Sequence, residues 1–402
     1  MSAQLNLFTN SKLSFDESIQ ILIDSVNAIA SNYDHWVFAW SGGKDSTTLV
    51  TLIMTLIDTG QIKHKPKTID VLIADSRAEL LPLQAGADQI SKQLVDRGAN
   101  VHKVVAEMDK RFMVYILGRG VPPPNNNTLR WCTRQIKIDP MKNKMEALFN
   151  RYGSKMLSFV GVRQGESAIR DGRIAMSCSA NGTECGTGHL YESVDESISD
   201  KLMPILHFRT CVIWDWLQIY APSKKFGNWE TQLLAEAYGA YEEDDPREIN
   251  ARTGCNGCPL ASKDVALITI LKNPYWHYLK PLLNLRVIYD AMRLPKYRLR
   301  KKGGHRNKDG KLAKNQNRMG PIALKFRLEF LKQILQIQRE INDHAIENNK
   351  PIIDIINSDE EARIRHLIEI GTYPNGWEGS EPMADEYFDI HGNDGTIQKS
   401  IF

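Results

Sequence analysis

Six consecutive residues, Ser41-Gly42-Gly43-Lys44-Asp45-Ser46, concentrate phosphate-handling chemistry in this 402-residue chain. The glycines let backbone amides approach an anion closely, Lys44 adds a point charge, and the hydroxyls of Ser41 and Ser46 add donors. The leading glycine of G-x-x-x-x-G-K-S/T is missing, so this is not a Walker A loop. A solvated glycine-rich turn is the bland alternative. Position weighs against it, because the apolar run Trp36-Val37-Phe38-Ala39-Trp40 precedes the loop and a helix-like run from Thr47 to Ile57 follows.

Sulfur chemistry is the second signal. Cys255 and Cys258 stand in Gly254-Cys255-Asn256-Gly257-Cys258-Pro259, and Cys132 stands in Arg130-Trp131-Cys132-Thr133 with Lys137 and Pro140 following. A tight turn at Gly257 brings two thiolates toward one metal, and a distant third cysteine completes a soft-ligand site for zinc or an iron–sulfur cluster. Redox thiol pairs share the C-x-x-C spacing, but the thioredoxin-like setting is absent. Ligand softness and reaction type favour the cluster. Cys178, Cys185 and Cys211 read as buried or incidental.

Three further segments carry charge in a suggestive place. Asp75 ends an apolar run and opens D-S-R-A-E-L-L-P, where a carboxylate holds magnesium or a ribose hydroxyl, or caps a helix; the same choice applies to Glu79. Gly161-Val162-Arg163-Gln164-Gly165-Glu166-Ser167, with Arg170, offers two guanidinium forks for phosphate or carboxylate, or a surface salt-bridge pair. From Lys296 to Arg318 ten basic residues, Arg298, Arg300, Lys301, Lys302 and Arg306 among them, surround the single acid Asp309. Glycines and asparagines there predict a flexible loop, and the charge predicts a polyanion partner over a solvated face.

These groups need a scaffold. Ser14 and Glu17 form a capping-box pattern ahead of an amphipathic helix. Apolar runs Trp36–Trp40, Ile69–Ala74, Val101–Ala106 and Met156–Val160 alternate with helical segments, one running from Glu79 to Arg97. That alternation predicts an α/β fold, a parallel sheet with ligands at the strand C-terminal ends. Pro321 is read as the start of a long amphipathic helix, and Ser358 with Glu361 as another capping box. The organisation expected is an N-terminal helix over 1–35, a nucleotide domain over 36–220 with an insertion loop at 177–199, a cysteine-bearing helical region over 221–295, and a basic segment with C-terminal helices over 296–402. A net charge of +3 is too small to identify a nucleic-acid partner by itself, and no N-terminal signal or membrane-length apolar run is present. A cytoplasmic protein without membrane association is expected, its cysteines serving as ligands or nucleophiles more than disulfides.

S-G-G-K-D-S resembles the pyrophosphate loop (PP-loop) of the ATP pyrophosphatases, a group that includes sulfate-nucleotide reductases and thiolation enzymes. Taken in order, S-G-G-K-D-S, G-R-G-x-P-x-P leading to R-W-C-T-x-x-x-K-I-x-P, G-x-R-x-x-E-S, G-C-x-x-C, the basic segment and Gly320-Pro321 resemble the DNA phosphorothioation sulfurtransferases of bacterial Dnd and Ssp systems. The likeness runs from about Trp36 to about Leu367. It implies an adenine nucleotide alpha hydrolase-like Rossmann-type domain and replacement of a non-bridging DNA phosphate oxygen by sulfur. ATP, Mg2+ and a 4Fe–4S cluster would serve the reaction, with a cysteine desulfurase and other phosphorothioation subunits as partners. Lys44, Asp45 and Cys132 would be catalytic. Ser41, Gly42, Gly43, Lys44, Asp45, Ser46, Asp75, Gly161, Arg163 and Arg170 would hold the nucleotide; Cys132, Cys255 and Cys258 the cluster; Arg298, Arg300, Lys301, Lys302 and Arg306 the DNA. The additional cysteine usual before C-x-x-C in Dnd-type members is missing from Asp245–Gly254, which implies three protein ligands and one open iron, as in some transfer-RNA thiolases. Rival readings are a transfer-RNA thiolase, a sulfate-nucleotide reductase, disfavoured because no cysteine stands near the terminal Lys399-Ser400-Ile401-Phe402, and a zinc-bearing nucleic-acid adaptor.

Overall fold

The structure, a computed structural model of the chain, describes residues 13–125, 130–164, 198–239, 254–302, 304–305, 310–311, 313, 317–386 and 396, and the backbone of 189–192, 389–391 and 397–399. Two compact units are interleaved along the chain. The first comprises Met1–Ile73, Leu83–Lys103 and Lys144–Glu236, the second Ala74–Pro82, Val104–Asn143 and Ala237–Phe402.

In the first unit, helix α1 (Phe15–Ile29) opens with the expected capping box, the Ser14 hydroxyl accepting from Glu17 N while the Glu17 carboxylate accepts from Ser14 N. Strand β1 (His35–Trp40) leads through the glycine loop into α2 (Lys44–Asp58). Then come β2 (Thr68–Asp75), α3 (Leu81–Asp96), β3 (Asn100–Val105), the helix Asp139–Tyr152 and β4 (Met156–Val160). Strands β5 (His189–Glu192) and β6 (Ser199–Met203) complete a sheet of order β3-β2-β1-β4-β6-β5. Five strands run parallel, and β5 joins β6 antiparallel. The expected parallel α/β architecture is present. Strand β5 was not foreseen; it falls within 177–199, and the remainder of that segment lies outside the described residues apart from 198–199.

Helix α2 is buried over most of its length, an unusual demand for a helix with four internal threonines. Tryptophans meet that demand. The indole N–H groups of Trp40, Trp216 and Trp229 donate to Thr47, Thr51 and Thr55, each at 2.9 Å. Spacing of four residues puts the three hydroxyls on one face, and those of Thr51 and Thr55 donate back to the carbonyls of Thr47 and Thr51. All three hydroxyls of this row are paired, whereas the buried Thr48 hydroxyl, off the row, has no hydrogen-bond partner among the described residues. Phe159 stacks on Phe38 with centroids 4.6 Å apart, closing the adjacent sheet face.

The second unit is mostly helical. Its long helix spans Leu324–Glu347 and begins three residues after Pro321, with Ala323 as N-cap. The later capping box uses Asn357 and Glu360, one residue before the pair expected, and starts the helix Ser358–Glu369. Asparagine accepts from the N3 amide as serine would, so the pattern admits either frame. Arg327 is fully buried, its Nε donating to Ile322 O at 2.9 Å and its Nη1 to Gly118 O at 3.0 Å and Thr372 O at 2.6 Å. Glu360, also buried, accepts from Arg111 at 3.2 Å. Among the described residues, no helix is long and apolar enough to cross a membrane.

Candidate active site

The loop Ser41–Ser46 and Gly161 lie in the first unit. Gly42 turns the chain with φ of +72°, a conformation side-chain-bearing residues rarely take, and Gly43 becomes the N-cap of α2 with no side chain capping it. The amides of the first turn therefore remain available to an anion. Ser46 Oγ ties the loop together: it lies 2.9 Å from Ser41 Oγ, accepts from Ser41 N at 3.1 Å and donates to Gly43 O at 3.2 Å. Lys44 is 7 % exposed, and its Nζ sits 3.1 Å from Asp45 Oδ2.

Gly161 is where β4 meets this loop. A β-carbon there would fall 2.8 Å from Ser46 Cα and 3.0 Å from Ser46 N. Only glycine lets the two backbones approach so closely. Arg163 lies deeper than a direct phosphate contact requires. Its Nε donates to Asp45 Oδ1 at 2.5 Å and its Nη1 lies 3.3 Å from Phe208 O and 3.4 Å from Thr210 Oγ1. Asp45 thus has Lys44 on one oxygen and Arg163 on the other, and both side chains act in this structure as props of the loop. Asp75, in the second unit, accepts from Arg77 N at 2.8 Å, an Asx turn that lies before the helix Leu81–Asp96 and does not cap it. Arg170 lies outside the described residues.

The cysteines belong to the second unit. Cys258 N donates to Cys255 O at 3.1 Å, which closes the C-x-x-C turn, and Gly257 at its tip has φ of +59°. A β-carbon at Gly257 would lie 2.8 Å from Leu285 Cβ and 3.3 Å from the Tyr289 ring. Asn256 sews this turn to the segment after Asp75: its N donates to Ala78 O at 2.7 Å and its Nδ2 to Glu79 O at 2.6 Å. Glu79 in turn accepts from Ser76 N at 3.2 Å and Ala78 N at 3.2 Å. From the other side Trp131, next to Cys132, stacks on Phe112 at 5.4 Å, and Phe112 meets Tyr289 edge-on at 5.8 Å.

Burial pushes the thiols of Cys132 and Cys255 above the ordinary cysteine range. Burial by itself would lower Lys137, but Cys255, Glu79, Cys132 and Cys258 together hold its pKa above the usual lysine value. One ammonium therefore sits in the field of all three thiols. Lys137 Nζ is 3.9 Å from Glu79 Oε1. Among the described residues, however, no group of three His, Cys, Asp or Glu side chains is gathered to hold a metal ion. The thiols share a neighbourhood but are not gathered into the set of three protein ligands, with one open iron, expected from sequence. Asn256 and Glu79 as supports of the cysteine turn were not legible beforehand, since they act through carbonyls contributed some 180 residues away.

The basic segment differs most from expectation. Arg298 is buried, donating from Nε to Gly320 O at 2.5 Å and from Nη2 to Met319 O at 3.0 Å, and burial pushes its pKa down to about 10. Arg300 is buried as well. Lys301 pairs with Glu381 at 2.5 Å and lies over the Trp377 ring. Backbone at the start of the segment pairs as isolated bridges, Arg298 with Ile322 and Leu299 with Met383; the glycine- and asparagine-rich part expected as a flexible loop lies for the most part outside the described residues. Lys302 remains exposed, and Arg306 lies outside the described residues. Arg298 is thus an internal support, because backbone carbonyls satisfy its guanidinium where no carboxylate is needed.

Residues 35–220 match the family model of the phosphoadenosine phosphosulfate reductase domain. The parallel sheet and flanking helices described above are the fold of such a domain. No curated protein sequence matches the chain. Among solved structures, phosphoadenylyl-sulfate reductase from Candida auris is similar over 51 % of this chain and 86 % of its own, at 10 % identity and a TM-score of 0.31. The U34-tRNA thiolase NcsA from Methanococcus maripaludis, solved with its 4Fe–4S cluster, is similar over 69 % of this chain and 78 % of its own, at 13 % identity and a TM-score of 0.30.

Proposed function

We propose that the chain is an ATP-dependent sulfurtransferase of DNA phosphorothioation, which activates a backbone phosphate as its AMP ester and replaces a non-bridging oxygen by sulfur. The observation that carries the nucleotide half is the uncapped N-terminus of α2 beside Gly42 and the buried Lys44. In the reaction a phosphodiester oxygen attacks the α-phosphorus of ATP and pyrophosphate leaves, its charge met by Lys44 and the first-turn amides. A hydrosulfide then attacks the DNA phosphorus, and AMP departs with the original oxygen. Magnesium would be held by the ATP phosphates and would offset their charge, while Asp45 is engaged by Lys44 and Arg163. Cys132, Cys255 and Cys258 would hold a 4Fe–4S cluster, and their soft donor set around Lys137 suits it. When bound, such a cluster with three protein ligands supplies an iron able to carry sulfide.

With α-labelled ATP, the expected products are AMP and pyrophosphate, and Lys44→Ala is expected to lower their formation at least about a hundredfold. ADP as the main product would overturn this. Nucleotide analysis of added DNA and transfer RNA identifies the acceptor: phosphorothioate in DNA supports the proposal, and thiolated transfer RNA replaces it.

Protein purified without oxygen is expected to be brown and to carry iron and labile sulfide. Cys132→Ser, Cys255→Ser and Cys258→Ser should each lose the colour, whereas Cys211→Ser, at an exposed position, keeps it. Stoichiometric zinc without sulfide would favour a structural site.

A further inference from the structure

Among the described residues, three other than glycine take a positive φ: Arg77 at 60°, Asn228 at 53° and Asn349 at 50°. Asparagine tolerates this left-handed region because its short amide hydrogen-bonds locally. Arginine has no such bond to make, so something else must hold Arg77 there. Its side chain does so, within the second unit. Nη2 donates to the Asp354 carboxylate, and Nε lies 3.4 Å from Oε1 of the buried Glu360. Glu360 is itself fixed, accepting from Arg111 Nη1 at 3.2 Å and from Asn357 N at 3.1 Å. The left-handed residue decides where three successive amides point. Arg77 N donates to Asp75, whereas Ser76 N and Ala78 N, on either side of it, both donate to the Glu79 carboxylate. The same turn aims the carbonyls of Ala78 and Glu79 at Asn256, between the two cysteines, and sets Glu79 beside Lys137.

We propose that Arg77 is a positioning residue for the cysteine site: clamped in the left-handed conformation by Asp354 and Glu360, it holds the turn 76–79 against which Cys255 and Cys258 are carried. Alanine at this position loses the clamp and returns to a negative φ, which swings the carbonyls of Ala78 and Glu79 away from Asn256. Glycine loses the clamp as well, but it occupies a φ of this sign without the penalty of a β-carbon. Clamp and conformation are therefore separable by mutation. The consequence for metal binding rests on the cluster reading proposed above, whereas the hydrogen bonds between the turn and Asn256 do not depend on it.

The test compares the full chain with Arg77→Ala and Arg77→Gly, each freed of metal and kept reduced without oxygen. Hydrogen exchange at the Asn256 amide is expected to be about tenfold faster in Arg77→Ala and within about threefold of the parent in Arg77→Gly. Titration with Co2+ alone, followed by its thiolate charge-transfer absorption, should rank the proteins in the same order. The cobalt dissociation constant is expected to rise at least about tenfold in Arg77→Ala and to stay near the parent in Arg77→Gly. Exchange in the helix Leu324–Glu347 is the control, since a general loss of stability would quicken it too, whereas lost positioning leaves it at the parental rate. Parental exchange at Asn256 or parental cobalt affinity in Arg77→Ala overturns the proposal. So does an equal loss in Arg77→Gly, or equal quickening in the control helix. If the parent itself shows no thiolate absorption, the cluster reading fails, and the exchange rates at Asn256 still decide the role of Arg77.

Discussion

Gly161→Ala is expected to cut AMP formation by about one to two orders of magnitude while leaving the sheet folded. The added methyl would meet Ser46 Cα at 2.8 Å and Ser46 N at 3.0 Å, and backbone atoms cannot rotate aside as a side-chain tip would. The first turn of α2 must therefore move. Overpacking of this kind costs about 1–3 kcal/mol, and each 1.4 kcal/mol is about tenfold when the displaced groups bind the reacting phosphates. The effect should appear in the KM for ATP as well as in kcat, because the same amides hold ground and transition states. Thermal unfolding of Gly161→Ala should fall by only about 2–10 °C, leaving the protein folded under assay conditions. Turnover at the parental rate would show that the loop tolerates a wider approach than the coordinates give.

Arg327→Ala is expected to destabilise the second unit by about 3 kcal/mol, at about 1 kcal/mol for each of three carbonyls left without its donor. The side chain is fully buried and lies over the Tyr373 ring at 4.3 Å. Its burial also works against it. Desolvation lowers the Arg327 pKa to about 10, below the ordinary arginine range, so the folded chain binds this proton less tightly than the unfolded chain. The sign follows: this group's contribution to stability rises with pH from about 10 toward the ordinary arginine range, and at neutral pH the charge is an electrostatic cost that the three hydrogen bonds offset. Arg327→Lys keeps the charge but loses the planar fork and should recover only part of the loss. Hydrogen exchange in the helix Leu324–Glu347 is the measurement, since it reports this unit separately. Unchanged protection in Arg327→Ala would mean that water or rearranged backbone replaces the guanidinium without penalty.

Local signals settled the nucleotide domain. The apolar run ending in Gly42-Gly43, the buried strands Met156–Val160 and Ile69–Ala74, and the Ser14–Glu17 capping box are all properties of short segments, and each appears within a residue or two of where the sequence places it. Patterns of period two and glycines at strand ends act through neighbouring backbone, so a linear reading reaches them. Burial and partnership did not follow from such segments. Ten basic residues between Lys296 and Arg318 read as one cationic surface, yet Arg298 and Arg300 turn inward. Arg163 and Asp45, 118 positions apart, support each other where sequence had them facing ligand. The cysteines show the same division: their C-x-x-C turn is local and was legible, but the Glu79 carbonyl that anchors it lies 177 positions away. Spacing determined the fold of residues 35–220 and the turn of the C-x-x-C motif. Only tertiary structure decided which charges face water and which are consumed as supports, because that depends on carbonyls and carboxylates brought together from distant segments.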